Sequence, residues 1–319
     1  MADLATDRWT RRDLLGLEDL SADEILAVLD TADAFFPYAT GAEPAPPTLQ
    51  GRTVLNLILE DSTRTRTSFT LAAERLGGRV VQFHANTSSM AQKGETLLDT
   101  ARTLEAMGMD AIVIRHKERE APHRVAEAVA CPVLNAGDDA HEHPTQALLD
   151  LLALRHHVGR LEGLTLAICG DVRHSRVARS NLYGLRALGS RVVFVGPDVF
   201  LKGLADLGPG VETATDFDAV LPECDAVMML RVQFERHTDL DLDLDAYCGG
   251  YRLTAERLAR AKEGAPVLHP GPINRGMELT DAVADGPQSL ILHQVTCGVA
   301  VRMAALTLCL AAGERASGK

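Results

Sequence analysis

Short apolar runs alternate with segments of helical periodicity along almost the whole chain, and this alternation limits the possible folds more than any other feature. The apolar runs predict strands at residues 53–59, 79–83, 111–115, 132–135, 164–169, 191–195, 211–214, 226–230 and 267–269. The other segments predict helices at residues 21–34, 67–76, 95–106, 121–130, 144–156, 176–188, 254–262 and 295–312. Strands that alternate with helices are typical of an α/β fold with parallel sheets.

The chain has 319 residues, which predicts two domains because a domain usually holds about 100–200 residues. Both halves repeat the same pattern of strands and helices. We therefore expect two doubly wound parallel-sheet domains. The joint is expected at the end of the helix 144–156 or in 158–160, so the domains take residues 1–157 and 158–294.

Charge and hydropathy exclude several classes of function. Lys and Arg number 32 against 44 Asp and Glu, which gives a net charge of −12; an acidic chain of this kind is a poor candidate for non-specific nucleic-acid binding. The N-terminus carries acids and no apolar region follows, so we expect no signal peptide. The apolar stretch 295–313 has Arg302 near its middle and indicates a buried helix rather than a membrane span. We expect a cytoplasmic protein without nucleic-acid or membrane partners.

The cysteines and glycines indicate neither a metal nor a cofactor. No two of the six cysteines form a Cys-x-x-Cys pair, so buried reduced thiols are the simplest interpretation. Gly170-Asp171 follows a predicted strand, but no Gly-x-Gly-x-x-Gly motif follows it. A dinucleotide is therefore not expected.

A dense group of hydroxyl and arginine side chains follows the first predicted strand. The group reads Ser62-Thr63-Arg64-Thr65-Arg66-Thr67-Ser68-Phe69, and we expect a turn here before the helix 67–76. A helix N-terminus offers free N–H groups to an anion, and Arg can grip phosphate with its planar fork. A capped helix with solvated arginines is the alternative, but capping needs only one such hydroxyl. The segment predicts a phosphate site.

Five motifs together resemble the aspartate/ornithine carbamoyltransferase family. They are 62–69, Ser89-Met90-Ala91-Gln92-Lys93-Gly94-Glu95, Ile114-Arg115-His116, His143-Pro144-Thr145-Gln146 and His269-Pro270-Gly271-Pro272. They stand in the family's order, and the resemblance extends from about Leu14 to Ala312. It implies a carbamoyl-phosphate domain at 1–157, an amino-acid domain at 158–294 and a C-terminal helix, 295–313, that packs back on the first domain. It also implies a reaction without a cofactor.

The second substrate is indicated by Arg231-Val232-Gln233, which resembles the aspartate-binding Arg-x-Gln of this family. The β-carboxylate of aspartate needs a bidentate cation and an amide donor, which this pair supplies. The resemblance therefore implies carbamoyl transfer to the amino group of L-aspartate in pyrimidine synthesis. Transfer to another amino acid such as ornithine, an inactive homologue with a structural role, and a simple anion-binding module remain alternatives.

The resemblance assigns a role to each residue of the carbamoyl-phosphate site. Arg64 and Thr65 bind the phosphate and the carbonyl oxygen, and Ser62 and Thr63 complete the phosphate cradle. Arg115 bridges carbamoyl phosphate and the α-carboxylate of aspartate, and His143 donates to the carbonyl oxygen. The carbamoyl NH₂ is fixed by Gln146 and by the loop of Pro270, Gly271 and Pro272.

The resemblance also implies how aspartate is held and how chains assemble. Arg176 binds the α-carboxylate, while Arg231, Gln233 and Lys93 bind the β-carboxylate. The loop of Ser89 and Lys93 reaches into a neighbouring subunit's site, so a homotrimer with shared active sites is implied. Association with a dihydroorotase or with regulatory chains is a further possibility. Cys297, where relatives often have Asn, is expected to affect packing more than chemistry.

Overall fold

The computed structural model describes residues 5–84, 93–204, 207–208, 210–232 and 243–317. The chain divides into two compact units. The first comprises the residues up to Leu152 together with those from Thr296 onward, and the second comprises Ala153–Val295. The predicted joint at 157/158 lies a few residues beyond this division. The C-terminal segment belongs to the first unit, as the sequence analysis predicted.

The first unit contains a four-stranded parallel sheet with the strand order β2-β1-β3-β4. Its strands are β1 Thr53–Ile58, β2 Arg79–Gln82, β3 Ala111–His116 and β4 Val133–Asp138. The helices in the first part of the chain are α1 Ala22–Phe35, α2 Thr63–Arg75, α3 Leu97–Ala106, α4 Ala121–Ala128 and α5 Pro144–Val158. The central strands β1 and β3 are almost wholly buried. Continuous apolar runs favour this position because parallel sheets are covered on both faces.

The second unit contains a five-stranded parallel sheet with the order β7-β6-β5-β8-β9. Its strands are β5 Thr165–Cys169, β6 Arg191–Val195, β7 Glu212–Ala214, β8 Ala226–Met229 and β9 Val267–Leu268. The helices that follow α5 are α6 Arg176–Ala187, α7 Asp198–Leu201, α8 Phe217–Val220, α9 Leu244–Tyr251, α10 Ala255–Leu258, α11 Asp281–Ala284 and α12 Ile291–Ser317. Side chains of β5, β6 and β8 form one buried cluster with apolar residues of the surrounding helices.

The structure confirms all nine predicted strands but corrects three predicted helices. Helix α2 begins at Thr63 rather than at 67, because the Ser62 side chain caps it. Helix α10 ends at Leu258 rather than at 262. Helix α12 begins four residues earlier than predicted and extends to Ser317.

Helix α12 is long and apolar enough to cross a membrane. Within Ile291–Ala316, an 18-residue stretch has a mean hydropathy of 1.9, and 83% of that stretch is buried inside the protein. A buried core helix passes the same test, so the length and composition of α12 are weak evidence for a span.

Candidate active site

The predicted site residues of each unit follow neighbouring strands of its sheet. In the first unit, Ser62 to Thr65 follow β1, Arg115 lies near the end of β3 and His143 follows β4. In the second unit, Arg176 follows β5, Arg231 follows β8 and the 270–272 loop follows β9. The strands β1, β3 and β4 are consecutive in one sheet, and β5, β8 and β9 are consecutive in the other. Both groups therefore lie at the carboxyl edges of parallel sheets, where open α/β folds bind ligands.

The phosphate motif forms the first turns of α2 rather than a turn before it. Ser62 is the N-cap: its Oγ accepts the N–H of Thr65 at 3.4 Å and donates to Thr65 Oγ1 at 2.9 Å. Thr65 is buried, whereas Thr63 and Arg64 are exposed. The helix start thus presents backbone N–H groups together with the exposed guanidinium of Arg64, which is the chemistry that binds a phosphate.

Thr70 fixes α2 to the sheet, a role that the sequence analysis missed. Its Oγ1 accepts from Asn56 Nδ2 of β1 at 3.1 Å and from Gln82 Nε2 of β2 at 2.7 Å. The same hydroxyl donates to the carbonyl of Arg66 at 2.9 Å. These bonds fix the middle of α2 to the strands β1 and β2.

Arg115 is held between the ends of two neighbouring strands. Its guanidinium forms an ion pair with Glu60, just after β1, and its Nη1 donates to the carbonyl of Ala136 in β4 at 3.3 Å. Only 10% of the Arg115 side chain is exposed. The pairing orients a buried cation at the carboxyl edge, and Glu60 is a second residue that the sequence analysis missed, although it stands two positions before the phosphate motif.

His143 lies immediately before α5 and is buried. Its carbonyl accepts the N–H groups of Gln146 at 3.0 Å and Ala147 at 3.3 Å, so it begins the helix. Gln146 Nε2 donates to Asp150 Oδ1 one turn later at 3.0 Å. Residues 143 and 146 therefore share the first turn of one helix, as their spacing predicted, and Asp150 orients the Gln146 amide.

The loop before His143 is fixed by Asp138, whose side chain is fully buried. Burial alone would raise the pKa of Asp138, but hydrogen bonds from His141 and Asn135 lower it. Burial would lower the pKa of His141, and the bond to Asp138 raises it instead. These contacts favour a carboxylate on Asp138 beside a protonated imidazolium on His141.

Arg302 of α12 is a buried cation that packs against Phe69 of α2. Its guanidinium lies 5.1 Å from the centre of the Phe69 ring, and its Nη1 donates to the carbonyl of Gly298 at 3.0 Å. Burial lowers the pKa of Arg302 to about 10, Asp150 acts against this, and Arg115 adds to it. The sequence analysis noted this charge in the middle of an apolar helix but did not predict its contact with Phe69.

In the second unit, the loop after β9 is shaped by His269. The Nδ1 of His269 accepts the backbone N–H of Gly271 at 2.8 Å, and the backbone N–H of His269 donates to Gln294 Oε1 at 3.0 Å. Gly271 has a φ of +67°, a conformation that favours glycine. The predicted ligands Pro270 and Gly271 are half-buried and Pro272 is exposed.

Two arginines and one carboxyl group complete the description of the second unit. Arg176 is the first residue of α6, with Ser175 as N-cap, and it is half-buried like Arg231 after β8. Glu278, which the sequence analysis missed, is buried, and burial raises its pKa to about 7 although backbone N–H groups act against this. Of the remaining predicted aspartate ligands, Lys93 belongs to the first unit and is exposed. Ser89 and Gln233 lie outside the described residues.

Two family models match consecutive parts of the chain. Residues 12–156 match the carbamoyl-P binding domain of aspartate/ornithine carbamoyltransferase, and residues 162–309 match its Asp/Orn binding domain. The chain belongs to the aspartate/ornithine carbamoyltransferase family. This assignment agrees with the resemblance that the five motifs carry.

Relatives of known name fall in the aspartate branch of the family. The chain is 53% identical to an aspartate carbamoyltransferase catalytic subunit of Parafrankia over 298 residues, which is 93% of this chain and 96% of that protein. It is also 53% identical to the protein of that name from Myxococcus xanthus, covering 94% of this chain and all of the relative.

A solved structure of the Trypanosoma cruzi aspartate transcarbamoylase with N-(phosphonacetyl)-L-aspartic acid is similar to this chain. The TM-score is 0.84 at 33% identity, over 95% of this chain and 96% of that one. The same enzyme with carbamoyl phosphate and aspartate gives a TM-score of 0.82 at 32% identity, over the same shares of the two chains.

Proposed function

We propose that this chain transfers the carbamoyl group of carbamoyl phosphate to the amino group of L-aspartate, giving N-carbamoyl-L-aspartate and phosphate. The observation that carries the proposal is the grouping of Arg64, Arg115 and His143 at one carboxyl edge of the first sheet. The family and the names of the relatives give the reaction class. The first unit is the carbamoyl-phosphate domain, and the second is the aspartate domain.

In the first unit, the start of α2 receives the phosphate. Arg64 and the backbone N–H groups neutralise its charge, with Ser62 and Thr63 as further donors. Thr65, Arg115 and His143 donate to the carbonyl oxygen, where negative charge develops as the amine attacks. Gln146, with its amide held by Asp150, accepts from the carbamoyl NH₂.

In the second unit, two half-buried arginines suit the two carboxylates of aspartate. Arg176 takes the α-carboxylate and Arg231 the β-carboxylate, because a guanidinium binds a carboxylate through two parallel hydrogen bonds. Gln233, Lys93 and Ser89 join the aspartate site by the family pattern. Carbonyl groups of the 270–272 loop fix the carbamoyl NH₂.

The reaction proceeds by addition and elimination. The neutral α-amino group of aspartate attacks the carbonyl carbon, a C–N bond forms, and the carbonyl oxygen takes the negative charge. The intermediate then collapses with cleavage of the C–O bond to phosphate, and the phosphate accepts the proton that the amine gives up. The arginines and donors position the two substrates and stabilise the oxyanion, and no side chain need act as a base.

We further propose that the chain works in the cytoplasm as a homotrimer with shared active sites. The family pattern at Ser89 and Lys93 supports the shared sites. A native mass measurement checks this assembly: a single-chain mass for the active enzyme would contradict it. Association with a dihydroorotase or with regulatory chains would appear in the same measurement as a larger mass.

The function is tested with the purified enzyme, carbamoyl phosphate, and either aspartate or ornithine. We expect product only with aspartate. We expect Arg64→Ala to lower turnover by about 100-fold or more, because it removes the cation that stabilises the charge on the leaving phosphate. Arg79→Ala is the matched control, because Arg79 is an exposed arginine at the amino end of β2 in the same sheet.

Three results would contradict the proposal. Turnover with ornithine alone would assign the chain to the other branch of the family. Turnover of Arg64→Ala within a few-fold of the wild type would refute the phosphate site. An inactive wild-type trimer would favour the structural homologue.

A further inference from the structure

Three potential metal ligands of the first unit lie together outside the predicted substrate site. They are His123 of α4, Asp138 at the end of β4 and His141 in the following loop. One ligand atom of each lies within 4.8 Å of the other two. His123 stands 15 positions before Asp138, and His141 stands 3 positions after it. The three residues therefore form no short sequence motif.

In this group His141 and Asp138 already contact each other, and His123 is the third ligand. His141 Nδ1 lies 3.0 Å from Asp138 Oδ2. The imidazole of His123 lies beside that of His141, with 5.8 Å between the ring centres and 50° between the planes. His123 Nδ1 is buried and has no hydrogen-bond partner among the described residues. A buried ring nitrogen without a partner costs free energy, which a bound ion would recover.

The surroundings of Asp138 fix its carboxylate as metal ligands usually are fixed. Oδ1 accepts from Asn135 Nδ2 at 2.9 Å and from the N–H of Glu142 at 3.1 Å. Oδ2 accepts the backbone N–H of Glu120 at 2.7 Å, and it also lies beside His141 Nδ1. Outer contacts of this kind orient ligands and contribute to metal affinity. The carboxylate therefore keeps its position whether or not an ion is bound.

We propose that His123, Asp138 and His141 bind a divalent transition metal ion of the zinc type. Two imidazoles and one carboxylate are the donor set that zinc prefers, whereas magnesium and calcium prefer oxygen ligands alone. The ion would replace the hydrogen between His141 and Asp138, and that proton would pass to solvent. A modest movement of the His123 ring would bring all three atoms to the usual distances of about 2.0–2.2 Å, and water would take the fourth position.

The site would connect two parts of the first unit, α4 and the loop that follows β4. His123 is in the first turn of α4, and His141 lies two residues before His143. A bound ion would thus tie the loop that carries His143 to α4. We expect zinc to raise the melting temperature of the protein, because an ion that binds only the folded state stabilises that state.

The test uses full-length protein without a histidine tag, freed of metal with a chelator. Zinc binding is measured by titration calorimetry, and cobalt is added to a second sample to record the visible absorption of the coordinated ion. We expect one zinc per chain, and His123→Ala should weaken binding by at least about 10–100-fold, the loss seen when even outer contacts of a metal site are removed. His157→Ala, an exposed histidine outside the group, should bind like the wild type.

Two outcomes would overturn the inference. The first is wild-type protein that takes up no zinc and shows no cobalt absorption. The second is His123→Ala that binds with the same stoichiometry and affinity as the wild type. Because His123 is half-buried and donates no hydrogen bond through Nδ1, its replacement should leave the fold intact, and circular dichroism checks this. His141→Ala gives a second variant for the same comparison.

Discussion

Glu278 should make the stability of this protein depend on pH between mild acid and neutrality. Its side chain is fully buried in the second unit; Oε2 accepts the N–H of Asn274 at 2.8 Å, and Oε1 has no hydrogen-bond partner among the described residues. Burial raises the pKa of Glu278 from 4.5 to about 7, against the effect of nearby N–H groups. The folded protein therefore holds a proton that the unfolded chain releases at lower pH.

The sign and the size of the effect follow from these two pKa values. Because the folded-state pKa of Glu278 is the higher one, its contribution to stability is complete below pH 4.5 and is lost as the pH rises to about 7. At roughly 1.4 kcal/mol per pH unit, the free energy of unfolding should fall by about 3 kcal/mol over this range. The substitution Glu278→Gln keeps the shape and an acceptor for Asn274 but carries no titratable group.

The assay is urea unfolding of the wild type and Glu278→Gln at several pH values between 4.5 and 8.5. Circular dichroism is the signal, because the single tryptophan, Trp9, lies in the first unit and does not report on the second. The two proteins should be nearly equal in mild acid, and the variant should be more stable by about 3 kcal/mol above pH 7. Glu263→Gln removes the same charge from an exposed side chain and serves as control. Parallel pH curves for wild type and Glu278→Gln would refute the reasoning.

The remaining predictions concern one helix in each of the two units. In Gly298→Ala the new Cβ would lie 2.6 Å from Arg302 Nη1 and 3.0 Å from Leu149 Cδ2, so we expect a loss of about 1–3 kcal/mol by overpacking. Trp9 fluorescence during urea unfolding measures this loss, and an unchanged midpoint would contradict the tight packing. In Ser175→Ala the N-cap of α6, which accepts the N–H of Ala178 at 3.1 Å, is removed, and stability should fall by about 1 kcal/mol. Ser175→Thr keeps a capping hydroxyl and should retain most of the stability. Equal losses of stability in both variants would show that the loss does not come from the missing cap.

The fold class could be predicted from the sequence because it depends on local patterns. All nine strands were located, including the partly exposed β2 and β7, because short runs that alternate with helical segments indicate strands of an α/β fold. Helix ends were harder to place. The hydroxyls of 62–69 suggested a turn, yet the Ser62 side chain caps a helix that already begins at Thr63, and local sequence permits either choice.

The site residues that belong to sequence motifs could be predicted. Ser62, Arg115 and His143 were each recognised beside a strand end, and the topology places those ends next to one another. The partners that orient these residues were not recognised. Glu60 pairs with Arg115 across 55 positions, and Asp150 holds Gln146 within α5, behind the predicted ligand.

The sequence by itself therefore determined the alternation of strands and helices, the family and the residues that the family motifs assign to the substrates. Only the tertiary structure decided which buried groups come together: the cation of Arg302 against Phe69, the carboxyl group of Glu278 whose pKa burial raises, and His123 beside Asp138 and His141. The physical reason is that a periodic pattern reports which face of an element is apolar. The pKa of a carboxyl group, or the chance that three ligands meet, depends on the distances and burial that arise when separate segments pack together.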